Sequence, residues 1–342
     1  MGDMPVILSA TAYAGQRTPP MPHLGDPASA ATERAQQSQH RPSIAIRMLD
    51  GRPMTSGWCR PPWQAGSVSD GGRPAGVGKT ALGAAAVRAA ESRRADRLFD
   101  DPYAEAFLAA APGAIDLEQR TGAGEMASWG ATFSSHAVTR TRFFDDYLLA
   151  ATAGGIGQLV LLGAGLDTRA FRLPWPDGVR LFELDLPDVL AFKERVLVER
   201  PAVAGCERTA IAVDLRTNWE VPLRRAGLAS AEATAWLAEG LLIYLSESEA
   251  VTLLDRVGAL SAAGSRVAFE VGGGASMRAQ AGQLPAMQQY VRLWKGGLPD
   301  APGWLAKHGW RPELHDRAAA AADHGRGQTA PSPGGFVVAT RT

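Results

Sequence analysis

The run Val160-Leu-Leu-Gly163-Ala-Gly165-Leu-Asp167-Thr-Arg169 constrains the fold more than any other stretch of the chain. Three apolar residues end in a Gly-x-Gly turn. A buried parallel strand hands over in this way to a loop that lets a ligand approach its backbone closely. A second short apolar run, Leu181-Phe-Glu183-Leu-Asp185, ends in an acid twenty residues after Gly165. A carboxylate about 20 residues after a Gly-rich turn is placed to accept hydrogen bonds from ribose hydroxyls. Gly163, Gly165 and Asp185 are therefore candidate contacts of a nucleoside cofactor at the carboxyl edge of a parallel sheet. The plainer account is a strand-end turn, with Asp185 capping a helix that opens at Pro187.

What is missing bears on which nucleoside. A dinucleotide fingerprint reads G-x-G-x-x-G, and its last glycine packs a helix on the sheet. Here Thr168 stands three residues after Gly165, and Asp167 brings a carboxylate near the turn. That acid would repel a pyrophosphate and favour a cation. S-adenosylmethionine carries a sulfonium and an ammonium and no phosphate, so the charge pattern leans toward it.

These residues also carry a resemblance. The strings LVLLGAGLDTRAFRL, LFELDLPDVLAFKERVL, VDLR with a following tryptophan, and AWLAEGLLIYLSESEAVTLL resemble the leucine carboxyl methyltransferase family. They are most similar to its bacterial branch of S-adenosylmethionine-dependent methyltransferases, which includes polyketide carboxyl O-methyltransferases. The likeness runs from about Val77 to the C-terminus. It implies a class I methyltransferase fold: a Rossmann-like, doubly wound, mostly parallel α/β sheet with N-terminal covering helices. It also implies S-adenosyl-L-methionine as methyl donor, and it fixes no single acceptor. Carried over by position, Asp214 would meet the adenine amine and Leu215 would lie along the ring. Arg140 would pair with the methionyl carboxylate, as an Arg fork suits a carboxylate.

Composition bounds the rest. Lys+Arg and Asp+Glu both number 35, so nothing in the charge balance draws the chain to nucleic acid or to a membrane surface. Two cysteines, Cys59 and Cys206, are too few for a disulfide framework and fit a reducing cytoplasm. No apolar run reaches the roughly 18 residues of a membrane span, and no secretory signal is readable. Residues 1–75 hold 10 of the 23 prolines and show no sustained periodicity. Such a segment buries too little apolar surface to offset its ordering entropy. It is expected to be a disordered or loosely attached extension, with the methyltransferase domain at 76–342. The resembling family begins near Gly76, so the extension is either an accessory tail or the product of an upstream start codon. A chain lacking residues 1–74 is expected to melt cooperatively near the full-length temperature and to keep its cofactor affinity. Aggregation or a broadened melt would place the segment in the core.

Gly76-Val-Gly-Lys79-Thr invites a P-loop reading. The motif needs a glycine where Arg73 stands, and no apolar strand precedes it. Lys79 is then a solvated residue at a helix start. From Thr80 an Ala-rich helical pattern begins, and Asp101-Pro102-Tyr103 reads as a helix start with Asp as N-cap and Pro at the first position. Phe143, Phe144, Tyr147 and Leu148 recur at helical spacing before the first strand. Strands are expected at 158–162, 179–184, 207–213, 233–239 and 265–271, and helices at 187–200, 219–227 and 247–262. Ser246 and Glu249 form a capping box for the last of these. Strands at 311–315 and 335–340 would complete the sheet with an antiparallel pair. Alternating βα units mean a parallel doubly wound sheet.

Further candidates are weaker. Glu239 ends the fourth strand, where it would bind the methionyl ammonium, line the transfer channel, or pair with a neighbouring arginine. Arg142, Tyr103 and Tyr244 read mainly as a solvent-facing charge and two packed aromatics, and His136 as a helix-surface residue. Residues 272–300, with Met277, Met287, Tyr290 and Trp294, read as an apolar acceptor wall or as a lid packed on the core. The expectation is a metal-independent O-methyltransferase acting on a carboxylate or hydroxyl of a small molecule or peptide. An NAD(P)-binding oxidoreductase is the main alternative, disfavoured by Thr168 and by the lack of a Tyr-x-x-x-Lys pattern. A non-catalytic cofactor-binding module is another.

Overall fold

The structure, a computed structural model, describes residues 78–114, 125–272, 274–284, 287–326 and 334–342. The expected extension at 1–75 lies outside these residues. The chain begins with α1 (Gly78–Ser92), α2 (Ala104–Ala109) and the long α3 (Glu125–Ala153). The alternation follows: β1 (Gln158–Leu162), α4 (Arg169–Arg172), β2 (Arg180–Asp185), α5 (Pro187–Glu199), β3 (Glu207–Ala212), α6 (Glu220–Arg225), β4 (Thr234–Ala238), α7 (Glu247–Ala259) and β5 (Arg266–Val271). Short helices α8 (Gly274–Gly282), α9 (Gln288–Val291) and α10 (Ala301–Lys307) lead to β6 (Trp310–Asp316), α11 (Arg317–Asp323) and β7 (Gly335–Arg341).

The strands form a seven-stranded sheet in the order β3-β2-β1-β4-β5-β7-β6. β1 to β5 pair in parallel, and β7 runs antiparallel to both β5 and β6. The expected strands and the antiparallel close are present, with ends displaced by a residue or so. β4 stops at Ala238, so Glu239 is a loop residue just past the strand rather than its last member.

Burial explains the sheet. Every residue of β1 and of β4 is buried. Val160, Leu162, Phe182, Leu184, Trp236 and Phe269 join the core on one face. Leu159, Leu161, Leu181, Ala235, Leu237 and Phe336 join the core on the other. A strand covered on both faces reads as a continuous apolar run rather than an alternation. Glu183 is the exception in β2. Its carboxylate meets Lys193 of α5 and Arg208 of β3 at 2.6 Å each, so the buried charge is matched.

Two expected helix starts differ. Ser246 and Glu249 do form the capping box, with Glu249 N–H donating to Ser246 Oγ at 3.2 Å and Ser246 N–H donating to Glu249 Oε2 at 2.7 Å. The Asp101-Pro102 start is displaced, because α2 begins only at Ala104. Asp101 is buried and takes the Arg88 guanidinium at 2.7 Å, and Pro102-Tyr103 form a turn instead. Asp101 still accepts the Tyr103 N–H through Oδ1 at 3.1 Å, so the local turn and the tertiary ion pair share its two oxygens.

Candidate active site

A cleft of about 960 Å³ opens along the carboxyl edge of the sheet. Gly163, Gly165, Asp185, Asp214, Leu215, Glu239 and Arg140 all line it. Residues spread over a hundred positions of sequence are thus brought to one cavity, where ligands of open α/β sheets bind.

The turn after β1 is built from its own backbone. Gly163 and Gly165 take φ of +67° and +51°, a region that L side chains rarely adopt. A Cβ on Gly163 would lie 3.1 Å from Leu241 Cδ1, and one on Gly165 would lie 3.3 Å from Ala81 Cβ. The glycines therefore also permit α1 and the loop after β4 to press on the turn. Leu166 packs with Leu82 and Phe107, and Arg88 donates to the Leu166 carbonyl at 2.6 Å. The N-terminal helices thus cover the cleft.

The N–H groups of this turn are already committed. Gly163 and Ala164 donate to the Leu184 carbonyl at 2.9 and 3.0 Å, and Asp167 N–H donates to the Ala164 carbonyl at 2.9 Å. Gly165 N–H donates to Asp185 Oδ2 at 2.6 Å, and Leu186 N–H donates to Asp185 Oδ1 at 2.6 Å. A dinucleotide turn presents such groups to phosphate. Here Gly163 and Ala164 hold a strand carbonyl, and Gly165 holds a carboxylate at the cleft. Asp185 does not cap α5, whose N-cap is Leu186 with Pro187 in the first turn. Burial raises the Asp185 carboxyl above its ordinary value, against the lowering effect of those two N–H bonds.

Beyond β1 the wall is a chain of ion pairs. Arg140 of α3 donates through Nε to Glu239 and through Nη1 to Glu270, both at 2.9 Å. The second Glu270 oxygen accepts the Gly240 N–H. Arg169, only 2% exposed, reaches Glu239 at 2.7 Å, Asp145 at 2.6 Å, and Asp167. Arg172 completes the chain on Asp145 at 2.6 Å. Burial pushes Glu239 up, but the charges of Arg169 and Arg140 win and hold it below its ordinary value. Asp167 is likewise pushed up by burial, yet Arg169 and its neighbours hold it at about 2. Glu239 thus realises the salt-bridge account of its position while also lining the cleft.

At the β3 end, Asp214 is gripped by Arg216 through Nε and Nη2, at 3.0 and 2.5 Å. That hydrogen bond lowers its carboxyl. Tyr244 lines the cleft and is hydrogen-bonded with Thr80 and Trp294, and burial raises its phenol. Tyr103 packs on Phe171 at 5.6 Å and lies away from the cleft. Arg142 pairs with Asp146 at 2.8 Å. His136 is half-buried rather than a surface residue, and burial together with Arg317 and Arg140 lowers its ring to about 4.

The expected apolar acceptor wall is met in part. Of the four residues named in 272–300, Trp294 lines the cleft, Met287 and Tyr290 do not, and the Met277 side chain lies outside the described residues. The segment also brings Leu293, Leu298 and Pro299, together with the basic residues Arg278, Arg292 and Lys295. Arg169, Glu270, Arg88 and Arg317 were not legible as site residues. Among the described residues no group of three or more His, Cys, Asp or Glu is placed to hold a metal ion. Among them, too, no helix is long and apolar enough to cross a membrane.

The strand order, the antiparallel β7 and the cleft at the carboxyl edge define a class I methyltransferase fold. The family model of leucine carboxyl methyltransferases matches residues 81–258. Two proteins carrying the name "Putative S-adenosyl-L-methionine-dependent methyltransferase" are similar over most of their length. The one from Parafrankia sp. is 49% identical over 272 residues, covering 78% of this chain and 88% of that one. The one from Streptomyces coelicolor is 46% identical over 279 residues, covering 79% and 97%. A DUF574 family protein from Streptomyces avermitilis, solved by crystallography, aligns with a TM-score of 0.45 at 14% identity, covering 64% of this chain and 89% of that one. The chain belongs to the leucine carboxyl methyltransferase family. The expectation of a methyltransferase that uses S-adenosyl-L-methionine stands with it.

Proposed function

We propose that this enzyme transfers the methyl group of S-adenosyl-L-methionine to a carboxylate oxygen of a small-molecule acceptor, without a metal, in the cytoplasm. The observation that carries the reading is the composition of the cleft wall. Of its acids, Glu239, Asp167 and Asp214 are held low by arginines and are weak bases, and Asp185, raised by burial, is committed to the Gly165 and Leu186 N–H groups. No histidine is among the described residues that line it. A phenol or alcohol needs a base near neutrality to become nucleophilic, whereas a carboxylate is already ionised there.

The donor set fits the cofactor. S-adenosyl-L-methionine supplies a methyl group made electrophilic by its sulfonium. Asp185 is placed to accept the ribose hydroxyls, and Asp214 with Leu215 to meet the adenine once Arg216 yields one of its contacts. On this reading Arg140, which also holds Glu239 and Glu270, takes the methionyl carboxylate, and Glu239 takes the ammonium. The turn after β1 has no free backbone cradle for a pyrophosphate at Gly163, Ala164 or Gly165, which favours this cofactor over a dinucleotide. Opposite charges then neutralise each other on the way to the transition state, and the protein mainly aligns the partners.

The test is a panel of carboxylic acids and phenols assayed with methyl-labelled donor, with and without EDTA. Label is expected in methyl esters of acids, unchanged by chelator. Activity on phenols alone, or activity abolished by EDTA and restored by a divalent metal, would overturn the proposal.

A further inference from the structure

Two acids stand side by side at the cleft. Ala238 of β4 is in register with Phe269 of β5, so Glu239 and Glu270 follow at matching positions on neighbouring chain segments. Like charges placed in this way repel each other unless a cation joins them. Arg140 of α3 is that cation, donating through Nε to Glu239 and through Nη1 to Glu270, both at 2.9 Å. The three side chains are mostly buried, and all three line the cleft.

Glu270 does more than neutralise. Its second oxygen accepts the Gly240 N–H, so one carboxylate ties the α3 guanidinium to the loop after β4. Gly240 takes φ of +65°, and a Cβ there would lie 3.5 Å from Arg140 Nη1 and 3.8 Å from both Cζ and Nη2. The guanidinium therefore lies against bare backbone while two carboxylates fix its Nε and Nη1. Among the described residues no protein acceptor takes Nη2. An arginine gives up rotamer freedom when it grips a ligand, and one already fixed by its neighbours gives up less.

We propose that Glu270 is a positioning residue for the methyl donor: by fixing Arg140 and the Gly240 loop, it sets the guanidinium in advance for the donor's methionyl carboxylate. The role rests on the S-adenosyl-L-methionine reading above, in which Arg140 takes that carboxylate. Glu270 acts through Arg140 and touches no donor atom itself. The nucleoside candidates Asp185 and Asp214 stand at the ends of β2 and β3, on the far side of β1 from β5. Loss of Glu270 is therefore felt at one end of the ligand only. Arg317 also feels the charge of Glu270, so the test has to separate the route through Arg140 from any other.

The test titrates the full chain by calorimetry with S-adenosyl-L-homocysteine and, by displacement, with S-adenosyl-3-thiopropylamine, the same molecule without its carboxylate. The wild type is expected to prefer S-adenosyl-L-homocysteine by about ten- to a hundredfold, the range of a hydrogen bond to a charged group. In Glu270→Gln that preference is expected to shrink by about threefold or more, while affinity for the thiopropylamine stays within about twofold. Glu270→Asp keeps the charge on a shorter stem, is expected to fall between, and carries the test if the glutamine variant does not fold. In Arg140→Met the preference is expected to be lost, and adding Glu270→Gln is expected to change it no further. Equal losses for the two ligands in the Glu270 variants would show a merely structural role and overturn the proposal. A preference unchanged in both Glu270 variants, one that survives in Arg140→Met, or a wild type that binds the two ligands alike would overturn it too. Failure of the wild type to bind S-adenosyl-L-homocysteine at all would instead remove the methyltransferase reading beneath it.

Discussion

Arg169→Met is expected to lower folding stability by about 3 kcal/mol or more, because removing one partner of a buried ion pair leaves charge uncompensated. Arg169 is 2% exposed and serves three carboxylates: Asp145, Asp167 and Glu239. Methionine fills much of the same space, so the effect reads out charge rather than a cavity. Two carboxylates keep a second arginine, Asp145 through Arg172 at 2.6 Å and Glu239 through Arg140 at 2.9 Å. Asp167 loses the most, and this keeps the expected cost near the lower end of the usual range. The sign with pH follows. Asp167 is held at about 2, below its ordinary value of 3.8, so its contribution is present above 3.8 and lost as pH falls toward 2. The deficit of the variant is therefore largest at neutral pH and narrows on acidification. Urea unfolding at neutral and at acidic pH measures it as a lower midpoint at unchanged slope. A loss under about 1 kcal/mol at neutral pH would show that this network does not organise the cleft.

The parts of this site that the sequence reveals are those set by local rules. Leu159 to Leu162 are buried on both sheet faces, so the strand reads as an apolar run, and the glycines that end it announce the turn. Asp185 is legible because the crossover from β1 to β2 spaces it from Gly165. Ser246 and Glu249 are legible because a capping box spans three residues. The failures share a cause as well. Asp101 keeps a local bond to the Tyr103 N–H, while its other oxygen holds Arg88, thirteen residues earlier, a partner that no local rule announces. Arg169 lies 24 residues from Asp145, and Arg140 lies 130 from Glu270. No periodicity encodes such pairings, because the topology alone brings them together. The acceptor wall misled for another reason. Met287 and Tyr290 weighed as apolar lining, but the cleft meets Leu293, Trp294 and Leu298 of the same segment, with Arg292 and Lys295 between and beside them. Which side of an irregular stretch faces a cavity depends on contacts such as Lys295 N–H to the Ile243 carbonyl at 2.7 Å.

Asp185→Ala is expected to weaken cofactor binding by about 1–3 kcal/mol, the cost of leaving buried hydrogen-bonding partners unmet. The carboxylate has two tasks. It holds the Gly165 and Leu186 N–H groups at 2.6 Å each, and on the proposed reading its remaining lone pairs take the ribose hydroxyls. Alanine removes both, so the turn loosens as the contact is lost. Asp185→Asn keeps one oxygen and the shape, and is expected to fall between. Asp214→Ala is expected to cost less than Asp185→Ala, since one amine contact is lost and Arg216 already competes for that carboxylate.

Calorimetric titration of the wild type and Asp185→Ala with S-adenosyl-L-homocysteine, with NAD in a parallel cell, bears most directly on the claim that this cleft is built for S-adenosyl-L-methionine. The wild type is expected to take up one S-adenosyl-L-homocysteine and to ignore NAD. The variant, with its cooperative melt intact, is expected to bind S-adenosyl-L-homocysteine about five- to a hundredfold more weakly. A well-folded wild type that binds NAD instead, or an Asp185→Ala chain that binds S-adenosyl-L-homocysteine as tightly as the wild type, would contradict the account.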